Sequence, residues 1–568
     1  MKRTRWLIVL LAVTALFCGN TPSDAAAATT PAKTTVSTPT TIDLVSGGEA
    51  KYVIVRPEVA TQAEMDAAVA IRTAIEKQTG VAPTLTTDWL KHGQEYDSST
   101  FEILVGRCAQ PEVLEALQSI SYGQYIVKPA GNKLVITAWG DQVLTKAVDF
   151  FQARIKKHGT AGALSLPADF LLTGIVNRTV DLLPIYPDGM VEDIIDCADN
   201  SQMVYITGTT ADAFKAYCET VAKSGSYTLY TEREAAGNLF ATYTGKKYNI
   251  HTYFNAAEGE TRIIIEPSSA LPPRAEDTTT ANDKYEPAVC LVGLEYNYSG
   301  NEYSQIGLMM LFRLPDGRLI VVDGGSNKAK AAELLWQNMR ELAPDKNNIT
   351  IAAWVLTHAH GDHSGGFLNF ADSYGSKVKV ERVIHNFTTV EQYASVQDYG
   401  YHQKARTAAE KLADEVIKAH NGQLYHFGGA TMEILYTFDD FLPGKMAYAN
   451  TTSLVCRISM GGQTVMILGD SNTPSNNILC TMYGNYLKSD IVQVTHHGSS
   501  GGTVQVYDLI DADTALWPGG ERSYKSRSRR DENAFLLKNV RDVYVAADDV
   551  YTLILPYIPV GNNPKYAG

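Results

Sequence analysis

The chain has 568 residues, 45% of them apolar and 20% charged, with a formal net charge of -13. That length exceeds what one hydrophobic core supports, so several domains are expected. The acidic balance excludes a chain-wide surface for polyanions, and with it a stable nucleic-acid complex.

The opening stretch, MKRTRWLIVLLAVTALFCGNTPSDAAAATT, sets Lys2, Arg3 and Arg5 before an apolar run from Trp6 to Cys18, followed by small residues from Ser23 to Ala28. This is the layout of a secretory signal over residues 1–26, and the run is short for a membrane span. An exported bacterial protein is expected, secreted or held at the cell surface and not transmembrane. Cys18, followed by Gly19, offers a lipid-attachment site, but Phe17 is bulky for one, so a cysteine inside a removed signal is preferred. Residues 27–41 form a Thr/Ala/Pro tether. Cys108, Cys197, Cys218, Cys290, Cys456 and Cys480 are scattered without a CxxC pair, which excludes a disulfide scaffold and a zinc-thiolate framework and predicts mostly buried thiols.

Residues 42–172 alternate strand and helix patterns. The helix from Thr61 opens with a capping box to Glu64 and closes at Gly80, and a second carries Leu144, Ala147, Val148, Phe151 and Ile155 at helical spacing. This small α/β module resembles those that precede catalytic domains in some secreted polysaccharide-degrading enzymes. The resemblance implies a cell-wall or surface glycan as partner, beside the simpler role of spacer. Residues 177–267 predict an α+β module, one helix on an antiparallel sheet, and residues 268–286 a linker.

The chemistry lies in residues 287–568. GRLIVVDGG is an apolar strand ending at Asp323, and ITIAAWVLTHAHGDHSGG is another that runs into His358, His360, Asp362 and His363. Imidazole nitrogens with a hard carboxylate oxygen suit Zn, Mn or Fe in sites that keep a coordination position open. Gly361, Gly365 and Gly366 are read as permitting a tight turn there. QTVMILGDSN ends a strand at Asp470, and SDIVQVTHHGSSGG ends one at His496 and His497.

Together, VVDGG, THAHGDHSGG, ILGD and THHGSS resemble the metallo-β-lactamase superfamily, most closely the branch of the nuclease-like domain of DNA-uptake channels and the phosphorylcholine esterases. Asn450 to Asp470 is similar to that branch's Asn-x-x-Ser-Leu-Val lead-in. The resemblance implies a C-terminal αββα sandwich behind two smaller α/β (α+β) domains, with two divalent metal ions, Zn first and Mn or Fe as alternatives, at one edge. His358 and His360 would bind the first ion, Asp362 and His363 the second. Asp470 would bridge both, one of His496 or His497 would complete the second site, and Asp323 would orient the motif loop. Asp362 and Asp470 are thus the expected catalytic carboxylates. A further histidine usual for the first ion has no clear counterpart: His385 is the best placed, ahead of His402, His420 and His426, and a core or surface histidine is its simpler reading.

True lactamases lack the bridging aspartate, so Asp470 directs the expectation to a phosphoester or another ester. The loop GGERSYKSRSRR supplies Arg527 and Arg529 as candidates for holding phosphate oxygens, beside the alternative of a solvated charge run. The expectation is a secreted dinuclear phosphodiesterase. The alternatives are a cell-surface carbohydrate-binding protein with a degenerate metallohydrolase domain, and a lactonase or thioesterase of the same fold.

Overall fold

The computed structural model describes residues 40–567 except 177–178, 279–282, 294, 299–300, 305–306, 395–398, 444–445 and 547–548. The secretory signal, Cys18 and nearly all of the tether lie outside the described residues. Among the described residues, no helix is long and apolar enough to cross a membrane, and no cysteine is disulfide-bonded.

In the first module the capping box forms as its sequence predicts: the Thr61 hydroxyl accepts from the Glu64 amide and the Glu64 carboxylate accepts from the Thr61 amide. The helix Gln62–Thr79 and the helix Asp141–His158 bury Ile71, Ile75, Val148 and Phe151 on one face of a six-stranded mixed sheet. A helix that the sequence analysis did not anticipate, Pro111–Gln118, covers the other face with Val113, Ala116 and Leu117.

The second module is a six-stranded antiparallel sheet carrying the helix Ala211–Lys223. Strand periodicity sorts its side chains. Ile263 and Ile265 pack under the helix with Phe214 and Val221, while Arg262, Ile264 and Glu266 point to the opposite face. That face meets the C-terminal domain through buried polar groups. Arg262 donates to the carbonyls of Asp440 (3.0 Å) and Phe441 (2.7 Å), and the Tyr253 hydroxyl to that of Asp440 (2.9 Å). Lys418, in turn, binds the Asp439 carboxylate and the Ala198 carbonyl.

The C-terminal domain is an αββα sandwich of two seven-stranded sheets. Val289, Phe312, Ile320, Val322 and Val355 from one sheet meet Ile434, Ile458, Val465 and Ile467 from the other in a shared core. Helices Ala329–Leu342 and Gly361–Tyr374 cover the outer face of the first sheet, and helices Thr473–Tyr483 and Val504–Ile510 that of the second. The strand Leu319–Val322 is buried on both faces, which explains its unbroken LIVV run where a half-exposed strand would alternate. The strand Ala288–Val292 pairs with the last strand of the domain, Val550–Ile554.

The glycines of the motif act differently from expectation. Gly361, Gly365 and Gly366 lie in the helix Gly361–Tyr374, not in a turn. The helix runs so close to the loop after Val322 that a β-carbon on Gly366 would fall 1.8 Å from the Gly324 carbonyl oxygen, and one on Gly365 2.6 Å from the Asn327 backbone. Their constraint is space. Gly366→Ala is therefore expected to destabilise the domain by about 1–3 kcal/mol through overpacking. Urea unfolding monitored by circular dichroism measures this, and an unchanged midpoint contradicts it.

Candidate metal centre

Within each sheet, parallel pairing sends two strand ends to the same edge: Leu319–Val322 beside Ile349–Val355, and Gln463–Ile467 beside Ile491–Gln493. The segments that follow carry Asp323, His358 to His363, Asp470, and His496 with His497. Backbone hydrogen bonds lock them together. The Gly324 amide donates to the His363 carbonyl (2.7 Å), His496 to Gly469 (3.1 Å), and Leu454 to Thr357 (2.9 Å), the last joining the two sheets. His358 and His360 lie in the loop, whereas Asp362 and His363 occupy the first turn of the helix that His360 caps.

Two groups of donors result. His358, His360 and Asp470 form one, and Asp362, His363 and His497 the other. His358 Nε2 lies 3.0 Å from His360 Nδ1, and His363 Nε2 lies 3.2 Å from His497 Nε2. Asp470 reaches into both: Oδ1 is 3.1 Å from His363 Nε2 and 3.4 Å from His497 Nε2, while Oδ2 is 3.9 Å from His358 Nε2. Donors bound to one tetrahedral ion at about 2.0–2.1 Å sit about 3.3 Å apart, so the second group has the spacing an ion requires. Oδ1 of Asp470 is also buried without a well-aligned hydrogen bond, which an ion would satisfy. The residues fit the metals that the sequence implies.

The far side of each ring is fixed. His363 Nδ1 lies 2.7 Å from the carboxylate of Asp323, which also accepts from the Thr357 amide (2.8 Å) and hydroxyl (2.6 Å). His497 Nδ1 donates to the Pro518 carbonyl at 2.8 Å. These contacts put the proton on Nδ1 and turn the Nε2 lone pair toward the centre. Asp323, His496 and His497 all adopt left-handed backbone conformations, with φ of 56°, 49° and 52°, a cost that proteins concentrate at functional sites.

Burial alone would raise the carboxyls, but the imidazoles reverse this. His497 and His363 bring Asp362 down to about 2, and His363 and His497 hold Asp470 well below the usual range. Burial lowers His358 well below its ordinary value, helped by His363 and His360, so it is a neutral donor. Burial works against His497 too, yet Asp470 and Asp362 raise it to about 9. The second group thus concentrates negative potential where a cation would sit.

His496 and His497 do not compete for one place. His497 joins the second group, whereas His496 Nε2 lies 3.8 Å from the opposite oxygen of Asp470, Oδ2, on the side of the first. Its Nδ1 donates to the Ser500 carbonyl at 2.6 Å, and its Nε2 faces the Asn450 amide at 3.0 Å. Asn450 and Ser453, noted in sequence only as part of a lead-in, both serve Asp470: the Asn450 amide donates to Oδ2 (3.3 Å) and the Ser453 hydroxyl accepts from the Asp470 amide (3.0 Å). Sequence reasoning missed Tyr401, whose ring lies against Gly361, the residue before Asp362.

Of the two arginines, Arg527 is brought to the site. It is half-buried, donates to the His497 carbonyl at 3.1 Å, and senses the charge of Asp470. Arg529 is exposed, with Lys565 as its electrostatic neighbour, and is not brought to the centre. His385 is also elsewhere. It is buried in a stack on Phe387, with its Nδ1 accepting from the Phe387 amide, and burial and Arg406 lower it to about 3. His402 stacks on Tyr393, His420 pairs with Asp440, and His426 lines a cavity between domains.

Residues 305–515 match the metallo-beta-lactamase superfamily. The C-terminal domain has the metallo-beta-lactamase fold. The matched segment contains every residue of the two donor groups and ends before Arg527. No match was found among curated proteins. Among solved structures, the chain is similar to the metallo-beta-lactamase fold protein YhfI from Bacillus subtilis (16% identity over 47% of this chain and 100% of that one, TM-score 0.30). It is also similar to a motif mutant of a metallo-beta-lactamase from Cronobacter sakazakii (20% identity, 44% and 88%, TM-score 0.24). A third is CmlA, a diiron beta-hydroxylase from Streptomyces venezuelae (13% identity, 51% and 55%, TM-score 0.30). The fold assignment rests on the matched segment and the two-sheet architecture.

Two predictions follow from the geometry of this metallo-beta-lactamase centre. Asp323→Asn removes the charged acceptor behind His363 and is expected to weaken metal binding about 10–100-fold, measured by competition with a chromogenic chelator; unaltered affinity would contradict the orienting role. His497→Ala should lose an ion from the second group and His496→Ala should weaken the first, so metal analysis of each variant should show a deficit in both. Full retention in His496→Ala would restrict that residue to the rim.

Proposed function

We propose that the metallo-beta-lactamase domain is a dinuclear metal-dependent hydrolase that cleaves phosphoesters, most specifically a phosphodiesterase acting on an extracellular or cell-surface substrate. The observation that carries this reading is Asp470, one carboxylate reaching into two histidine groups, with the Arg527 guanidinium held on the His497 carbonyl. His358, His360 and Asp470 would hold one ion, with His496 offering the further nitrogen absent from the intervening sequence. Asp362, His363, His497 and Asp470 would hold the other. The mixed imidazole and carboxylate set suits Zn, with Mn and Fe compatible.

When bound, the two ions supply Lewis acidity and acidify a water at neutral pH. The protein's own contribution is placement. Asp323 and the Pro518 carbonyl fix His363 and His497, Asn450 steadies Asp470 and His496, and Arg527, held on the His497 carbonyl, would meet the phosphoryl oxygens. Guanidinium pairs with two phosphate oxygens at once, whereas an uncharged ester needs no such partner. Arg527 is thus the feature that favours phosphoesters over lactones or thioesters.

Export and a glycan partner for the N-terminal modules belong to the same proposal, supported by the composition of residues 1–41 and by the α/β character of the first module.

Hydrolysis of bis(p-nitrophenyl) phosphate by the metal-loaded protein tests the reading. Turnover is expected in the wild type, with a loss of about 100-fold or more in Asp470→Ala and a rise of about 10-fold in KM for Arg527→Ala. A metal-loaded wild type that cleaves carboxylic esters or lactones but no phosphodiester would overturn the substrate class while leaving the metal centre intact.

A further inference from the structure

A second cluster of potential ligands lies where the middle module meets the metallo-beta-lactamase domain. His251 and Glu266 come from the strands Tyr248–Asn255 and Glu260–Pro267 of the module, on the face turned from its helix. His420 comes from the loop joining the edge strands of the two sheets, Ala413–Lys418 and Leu424–Phe427. All three side chains are fully buried. The two imidazoles stack with centroids 4.0 Å apart and planes 18° from parallel, and both direct Nε2 at one carboxylate: His251 lies 3.0 Å from Glu266 Oε1 and His420 3.1 Å from Oε2.

We propose that His251, Glu266 and His420 bind a divalent metal ion that clasps the middle module onto the metallo-beta-lactamase domain. Several observations support it. One donor atom from each residue lies within 4.8 Å of the others, and the histidine-to-carboxylate separations are close to the roughly 3.3 Å edge of a tetrahedral site. Behind the rings, His420 Nδ1 lies 2.9 Å from Asp440 Oδ1, as a metal-binding histidine needs, and His251 Nδ1 lies 3.3 Å from both the Thr242 hydroxyl and the Gln423 amide nitrogen.

Charge points the same way. Glu266 and Asp440 bury two negative charges here, and the nearby Lys418 is committed to Asp439 at 2.7 Å. A divalent ion would offset the two buried carboxylates. Both histidines also line a cavity of about 220 Å³ beside Arg233, Tyr230 and Gln423, which gives an ion a route in and room for a water as a further ligand.

The competing arrangement holds the same atoms with protons. Gln423 Nε2, 3.3 Å from His251 Nδ1, would then donate to it, His251 Nε2–H would donate to Glu266, and a protonated His420 would bridge Glu266 and Asp440.

Crystals of the full chain loaded with Zn(II), measured at the zinc absorption edge, separate the two. An anomalous peak about 2.0–2.1 Å from both Nε2 atoms is expected. Peaks confined to the Asp470 centre, with none at His251 and His420, would overturn the proposal. In solution, Glu266→Gln should lower bound metal by about one ion per chain relative to wild type, with the Asp470 centre still loaded, and Asp470→Ala should keep the clasp ion while its own centre is depleted. An unchanged metal content in folded Glu266→Gln would assign the cluster to protons.

Discussion

Asp470 carries a negative charge on a side chain that is itself buried, and the rest of the site follows from that constraint. A buried carboxylate is tolerated only with positive charge or strong donors around it. Here the donors arrive from three chain segments, residues 358–363, Asn450 and the His496–His497 pair, that are far apart in sequence and meet at the edge where parallel strands of both sheets end. The backbone bond from Leu454 to Thr357 closes the seam between the sheets. His363 and His497 then flank one oxygen of Asp470, while Asn450 reaches the other, with His358 farther off on the same side. Each flanking ring is held from behind by a fixed acceptor, so the centre is organised before any cation enters it.

The middle module is attached by the same principle. Its antiparallel sheet has an apolar face for its own helix and a face of Arg262, Tyr253, His251 and Glu266 for its neighbour. Buried polar groups contribute little net stability but are specific, because each misaligned pair costs a desolvated, unsatisfied group. Arg262 finding two carbonyls, and Lys418 finding both the Asp439 carboxylate and the Ala198 carbonyl, fixes the relative orientation of the two units more sharply than a greasy contact would. The same surface covers the loop from Ala419 to Gln423, where one sheet hands over to the other.

Much of this was legible in the sequence. Apolar runs ending in Asp323, in the HxHxDH motif, in Asp470 and in the His496–His497 pair located the strand ends, because buried parallel strands carry continuous apolar sequence, while their shared edge was implied by the family resemblance. The capping box at Thr61 was readable because it is a local device. What was not readable depended on approach in three dimensions. Gly365 and Gly366 looked like turn residues until the packing of their helix against Gly324 and Asn327 showed that the backbone needs the room. The two histidines of THHG looked interchangeable because sequence does not reveal that left-handed conformations at both residues send their rings to opposite oxygens of Asp470. Arg527 and Arg529, two residues apart on a basic loop, separate only once the short helix Glu521–Arg527 is placed against His497. The helix Pro111–Gln118 escaped notice because eight residues give too little periodicity to register.

The pairing of Ala288–Val292 with Val550–Ile554 bears on how the protein is made. The opening strand of the metallo-beta-lactamase domain keeps one hydrogen-bonding edge unsatisfied while nearly the whole domain is translated, since its partner leaves the ribosome last among the strands. Until then a ladder of free amides and carbonyls beside the apolar AVCLV sequence is a template for wrong pairing. The modules before it can finish folding early, but this domain completes its sheet late, and a nascent chain stalled before Val550 would present a sticky edge to chaperones and to its neighbours on the polysome.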